Sequence, residues 1–169
     1  STPCGTLFPY TTLFRSLINE IKIPVWIESG GHHKSILAVC SNLAPNQKVP
    51  ELSLDLAEKL DWKLRMIYVT DVEDNVEVDK QGNRSNPKPL HELLFSRQEF
   101  IEHMQEKGIM VKTVEGSLQK ESIKAARKMK AGLVIIGREQ KKRGKLGFPV
   151  KKVKQKIAER SKYSLLFIN

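Results

Sequence analysis

A chain of 169 residues, 40% of them hydrophobic and 28% charged, is long enough to bury one real core and carry an appendage. No run approaches the roughly 18 apolar residues of a membrane span, the start lacks the basic-then-apolar order of a signal peptide, and two cysteines, Cys4 and Cys40, are too few for a disulfide framework and lack metal-ligand spacing. These features predict a reducing, cytoplasmic setting and no membrane span. The net charge of +10 is concentrated, because from Arg138 to Lys162 eleven lysines and arginines face only Glu139 and Glu159.

Residues Thr6 to Ser16, TLFPYTTLFRS, match the in-frame translation of a widely used sequencing-library adapter. Residues 1–16 are therefore read as an artefact, and fold reasoning starts near Leu17. Ile23 to Ile27 is a short β-prone run with Pro24 near its start. Ser29 to Lys34 is a linker by composition, and Ser35 to Cys40 is a continuous apolar run, as expected of a strand buried on both faces. Pro50 to Leu60 reads as a helix, with proline in its first turn and Leu52, Leu56 and Leu60 at i, i+4, i+8. Lys63 to Thr70 is the next strand.

Residues 71–89 form the one long polar loop, a length that in a compact domain signals function or mobility. His91 to Lys107 is predicted as a helix ended by Gly108. Its stripe is Leu93, Leu94, Phe100, Ile101 and Met104, interrupted by Arg97, and Phe95 falls off it. Ile109 to Val114 is a strand, Ser117 to Lys130 a helix, Gly132 to Ile136 a strand stopping at Gly137, Val150 to Arg160 a helix, and Ser164 to Ile168 the closing strand. Five strands alternating with helices predict an α/β fold, a doubly wound five-stranded parallel sheet with helices on both faces, plus the short extra N-terminal strand. Ligands of such sheets bind beyond the carboxyl ends of the strands at the switch point. That places Cys40, Ser41 and Asn42, the Asp71 loop and the Gly137 loop around one crevice.

The stretch 35–169 resembles the universal stress protein domain along its whole length. The resemblance is carried by LAEKLDWKLRMIYV (Leu56 to Val69), EGSLQKESIKAARKMKAGLVIIG (Glu115 to Gly137) and KIAERSKYSLLFI (Lys156 to Ile168). It implies the Rossmann-like fold of the adenine nucleotide alpha-hydrolase type. LINEIKIPVWIE (Leu17 to Glu28) resembles the same family's closing helix and strand, so residues 17–34 read as the tail of a preceding domain plus linker, in a tandem protein. Closing strands in this family often pair across a dimer or tandem interface. The resemblance therefore implies that Ile23 to Ile27 lies beside Ser164 to Ile168, and that the partner is a second copy or the first domain.

Nucleotide-binding members carry an aspartate at the end of strand one. They also carry a loop after strand four spaced Gly, two residues, Gly, nine residues, Gly, then Ser or Thr, so that backbone N–H groups and a helix N-terminus meet phosphate. On this resemblance the site maps to Cys40, Ser41, Gly137, Arg138, Gln140, Val150 and Lys151. Cys40 stands in place of the aspartate, Gly137 keeps the first glycine, Gln140 replaces the second, and Val150-Lys151 fall where Gly and Ser are expected. The resemblance thus implies a degenerate nucleotide site, no cofactor, and a non-enzymatic regulatory or binding module. Two alternatives stand beside it: an ATP-binding, slowly hydrolysing domain, and a basic accessory domain docking on polyanions or a larger partner. The basic segment Arg138 to Lys156 suits an anionic partner, set against the plainer reading of a solvated basic face.

No Ser-His-Asp, Cys-His or paired-carboxylate arrangement is legible. Cys40 reads as a buried structural cysteine before a reactive thiol. His32-His33 lack a further ligand, and His91 and His103 lie too far apart on one helix to share a metal. Asp71, Glu73 and Asp74 read as a solvated acidic cluster in a mobile loop.

Overall fold

The computed structural model describes residues 24–28, 33–138 and 163–168. Their elements run β1 (Val25–Ile27), β2 (Ser35–Ser41), α1 (Val49–Leu60), β3 (Lys63–Thr70), α2 (Leu90–Glu106), β4 (Val111–Glu115), α3 (Leu118–Met129), β5 (Leu133–Gly137) and β6 (Ser164–Ile168). The helix predicted over Val150 to Arg160, the basic segment beyond Arg138 and residues 1–23 lie outside the described residues. No helix among the described residues is long and apolar enough to cross a membrane.

One six-stranded sheet has the order β1-β6-β5-β2-β3-β4. The five strands β2 to β6 pair parallel, and β2 sits at their centre between β5 and β3, with Val39 opposite Ile136 on one side and Ile67 on the other. All of β2 and β5 is buried, as their uninterrupted apolar sequences require. Because side chains alternate across a pleated strand, each strand feeds two cores. Leu37, Val39, Ile67, Val69, Val134 and Ile136 pack on the α3 side with Leu118 and Ala126. Ile36, Ala38, Cys40, Met66, Tyr68, Leu133 and Ile135 face the other layer, with Val49 of α1 and Met104 of α2.

β1 is the exception in direction. It pairs antiparallel with β6, Val25 opposite Phe167 and Ile27 opposite Leu165. The pairing expected of the N-terminal run and the closing strand is therefore present, and it adds a mixed sixth strand to the parallel sheet. Ser164 Oγ donates to Glu28 Oε1 (2.9 Å) and the Trp26 indole N–H donates to Glu28 Oε2 (3.1 Å), which fixes the end of the pair.

Helix ends follow local chemistry. Pro50 lies in the first turn of α1, and Gly108 (φ +73°) follows α2 and donates its N–H to the Gln105 carbonyl. α1 and α3 end without glycine, on Asp61 and Lys130, both left-handed at φ 52° and 51°. A side chain in that conformation is strained, and glycine there is not. Lys130→Gly is therefore expected to stabilise the protein by about 0.5–1 kcal/mol, read as a higher urea midpoint at unchanged slope.

Candidate functional site

The parallel strand order reverses between β5 and β2, so the carboxyl ends of these strands form the switch point. The chain leaves β2 through Ser41 and Asn42 and turns back at once. Asn46 closes this turn, its Oδ1 accepting the Ser41 N–H (3.0 Å) and its Nδ2 donating to the Ser41 carbonyl (3.0 Å). A Cβ on Gly137, the last residue of β5, would lie 1.9 Å from the Pro45 carbonyl oxygen. The returning backbone thus presses on the end of β5, and only glycine fits. The one glycine that survives from the nucleotide pattern has a packing cause of its own.

Cys40 is fully buried, in the core layer facing α1 and α2. Burial pushes its thiol far above the ordinary range, so it is neither an anion nor a nucleophile at neutral pH. Ser41 is buried, and its Oγ accepts the Leu43 N–H (3.1 Å). Arg138 is 7% exposed and donates its backbone N–H to the Ile168 carbonyl (2.7 Å), while burial lowers the pKa of its guanidinium. Arg138 is therefore not part of a solvated basic face. Gln140, Val150 and Lys151 lie outside the described residues.

Asp71 corrects the expectation of a solvated acidic cluster in a mobile loop. It is 3% exposed, and Asp74 is largely covered and ion-paired with Arg84. Asp71 Oδ1 accepts the N–H groups of Glu73 (2.9 Å) and Asp74 (3.0 Å), and its Oδ2 accepts the Leu118 N–H (2.7 Å) at the start of α3. It caps a helix from 47 residues upstream. Beside it, buried Asn42 accepts the Asp71 N–H (2.7 Å) and donates to the Val76 carbonyl (2.8 Å), while its own carbonyl accepts from Val78 N–H (2.8 Å). A Val78–Arg84 bridge, the Arg84–Asp74 and Lys88–Glu77 ion pairs, and buried Val76 and Val78 complete the loop. It is a docked wall.

That wall encloses a cleft of about 690 Å³ with the N-terminal turn of α1, the end of β3 and one face of α2. The cleft touches Ser41 and Asn42 but not Cys40, Gly137 or Arg138. Sequence reasoning placed Ser41 and Asn42 at the crevice and passed over Tyr68, Phe100 and Met104, which line the cleft. Among the described residues no group of three or more His, Cys, Asp or Glu side chains is placed to hold a metal.

Strand order and switch point together define a doubly wound α/β protein. Solved structures similar in fold include universal stress proteins. One from Archaeoglobus fulgidus DSM 4304 matches with a TM-score of 0.61 and 12% identity, over 94% of this chain and 55% of the other. A putative universal stress protein from Pseudomonas aeruginosa UCBPP-PA14 matches with a TM-score of 0.59 and 17% identity, over 86% and 51%. A functionally unknown protein from Pseudomonas aeruginosa PAO1 does so with a TM-score of 0.59 and 16% identity, over 86% and 51%. The matched chains are thus about twice as long as the part of them that this chain covers. No family model and no curated protein matches the sequence.

The Cys40 thiol gives a pH test. It is neutral in the fold and ionises near about 8.5 once unfolded, so its share of stability is complete below that pH and is lost as pH rises above it. Peptide-resolved iodoacetamide labelling at pH 8 is expected to spare Cys40 in the native protein and modify it fully in denaturant. Fast native labelling of Cys40 would contradict its burial.

Proposed function

We propose that the chain is a universal-stress-protein-type domain acting as a non-enzymatic regulatory or binding module, with a degenerate nucleotide crevice. The observation that carries this reading is Cys40. Where the resemblance puts an anchoring carboxylate, the chain has a neutral thiol sealed inside the sheet. A thiol held neutral offers a nucleotide neither charge nor a strong hydrogen-bond acceptor. The close approach of the Pro45 carbonyl to Gly137 supports the same reading, since it accounts for that glycine without a phosphate.

The partner side of the reading rests on β1. A strand antiparallel to an otherwise parallel sheet fits the tail of a second α/β unit that runs in the opposite sense. The length of the matched structures agrees with it. On this reading the β6 edge is the seam to a preceding unit or to a second copy, which also satisfies backbone groups that an open edge would leave unpaired.

Calorimetric titration of Mg-ATP into the full chain near physiological salt tests the crevice. The expected result is no saturable heat up to roughly 1 mM, weaker than about −4 kcal/mol of binding free energy. Saturable binding in the micromolar range would make the domain an ATP switch and refute the degenerate reading.

A further inference from the structure

α1 lies on β2, β3 and β5, and α2 lies on β3 and β4. The cleft runs between them, walled by the docked loop. Most of its lining residues are polar or charged, and the apolar part comes from Tyr68 of β3, Phe100 and Met104 of α2, Pro50 of α1 and Val78 of the loop. The Tyr68 and Phe100 rings sit 5.3 Å apart at 47°, a tilted aromatic pair within this part of the lining.

Tyr68 supplies the polar handle. The residue is 3% exposed, yet its hydroxyl makes no hydrogen bond among the described residues. Among the described residues, the side-chain polar atoms that are sealed without a partner are Ser53 Oγ, Arg97 Nε, Ser122 Oγ and Tyr163 Oη. Tyr68 Oη is not one of them, so its small remaining contact is with the cleft it lines. A buried phenol without a partner is unfavourable, and an acceptor atom brought into the cleft removes that cost. Burial first, and then the neighbouring Cys40 and Glu77, raise the phenol above its ordinary range, so it is a donor at neutral pH. Of the lysines and arginines lining the cleft, Arg84 pairs with Asp74, Lys88 with Glu77 and Lys107 with Glu51 at 3.9 Å, while Lys80 joins no ion pair among the described residues. The apolar part of the lining, with the Tyr68 hydroxyl beside it, therefore suits a flat ring with an acceptor.

We propose that this cleft binds a small planar aromatic or heteroaromatic molecule, its ring against Phe100 and Met104 and a carbonyl or ring-nitrogen acceptor on the Tyr68 hydroxyl. The proposal rests on the reading of the domain as a binding module and names the class of ligand it takes. The site is displaced from the switch point, toward the β3 side, and involves neither Cys40 nor Gly137.

The test is an NMR titration of the full chain with three probes. Benzamide carries a flat ring and a carbonyl, cyclohexanecarboxamide the same carbonyl without the ring, and Mg-ATP tests the crevice separately. The expected result is saturable movement of the Tyr68 and Phe100 ring signals by benzamide in the millimolar range, with much weaker binding of cyclohexanecarboxamide. Tyr68→Phe is expected to weaken benzamide about tenfold, the worth of one buried hydrogen bond, with an otherwise native spectrum. Should that variant fail to fold, Phe100→Leu is expected to weaken benzamide while leaving the Tyr68 shift detectable. Silence of both rings up to roughly 10 mM benzamide, a range that fragment efficiency makes ample, overturns the proposal. So does unchanged benzamide affinity in a folded Tyr68→Phe or Phe100→Leu variant. Mg-ATP binding that moves Gly137 would refute the degenerate crevice, while the benzamide result still decides the cleft.

Discussion

The carboxamide of Asn42 and the carboxylate of Asp71 hold the carboxyl edge of the sheet together. Residues 71–89 contribute no helix or strand of their own, so their backbone groups need partners from elsewhere. Asn42 provides them from the end of β2, and Asp71 ties the start of the loop to the first turn of α3. Both side chains are buried and hydrogen-bonded on each polar atom. Buried polar groups satisfied in this way rigidify and specify one arrangement, whereas losing one member strands the rest. The loop wall, the cleft behind it and the orientation of α3 all depend on this contact.

The same edge explains how the two parts of the site separate. The turn closed by Asn46 drives the Pro45 carbonyl onto Gly137, which fills the space at the β2–β5 switch point with the chain's own backbone. On the β3 side the described residues leave a cleft. There the alternation of β3 sends Tyr68 toward α1 and α2, while Ile67 and Val69 go to the α3 core. On the loop Arg84 pairs with Asp74 and Lys88 with Glu77, and Tyr68, Phe100 and Met104 give the cleft an apolar part. A resemblance that points to the switch point and a geometry that opens beside it are therefore compatible.

Much of the fold was legible because it depends on short-range pattern. The uninterrupted apolar runs of β2 and β5 announced strands buried on both faces, and proline in the first turn and Gly108 marked the ends of α1 and α2. Phe95, off the α2 stripe, is 67% exposed. The interruption of that stripe at Arg97 has a cause at long range: its guanidinium donates to Thr70 Oγ1 and Glu115 Oε1. Long range is also where reading failed. Nothing near Asp71 in sequence indicates that Leu118 N–H will meet it, so an acidic residue in a polar loop looked solvated. The cleft was illegible for a related reason. Tyr68 in a strand is simply an inward residue, and nothing near it in sequence shows that its hydroxyl has no hydrogen-bond partner among the described residues or that the residue lines a cleft.

Amide hydrogen exchange at three positions tests the central claim most directly. Asp71 N–H is held by Asn42 Oδ1, Val78 N–H by the Asn42 carbonyl, and Leu118 N–H by Asp71 Oδ2. If the loop is part of the core, these amides exchange only with global unfolding, as slowly as those of Val39 and Ile135 in the central strands. If they exchange through a local opening while β2 and β5 stay protected, the loop is a mobile flap, and both the docked wall and the cleft it encloses fail as features of the native fold.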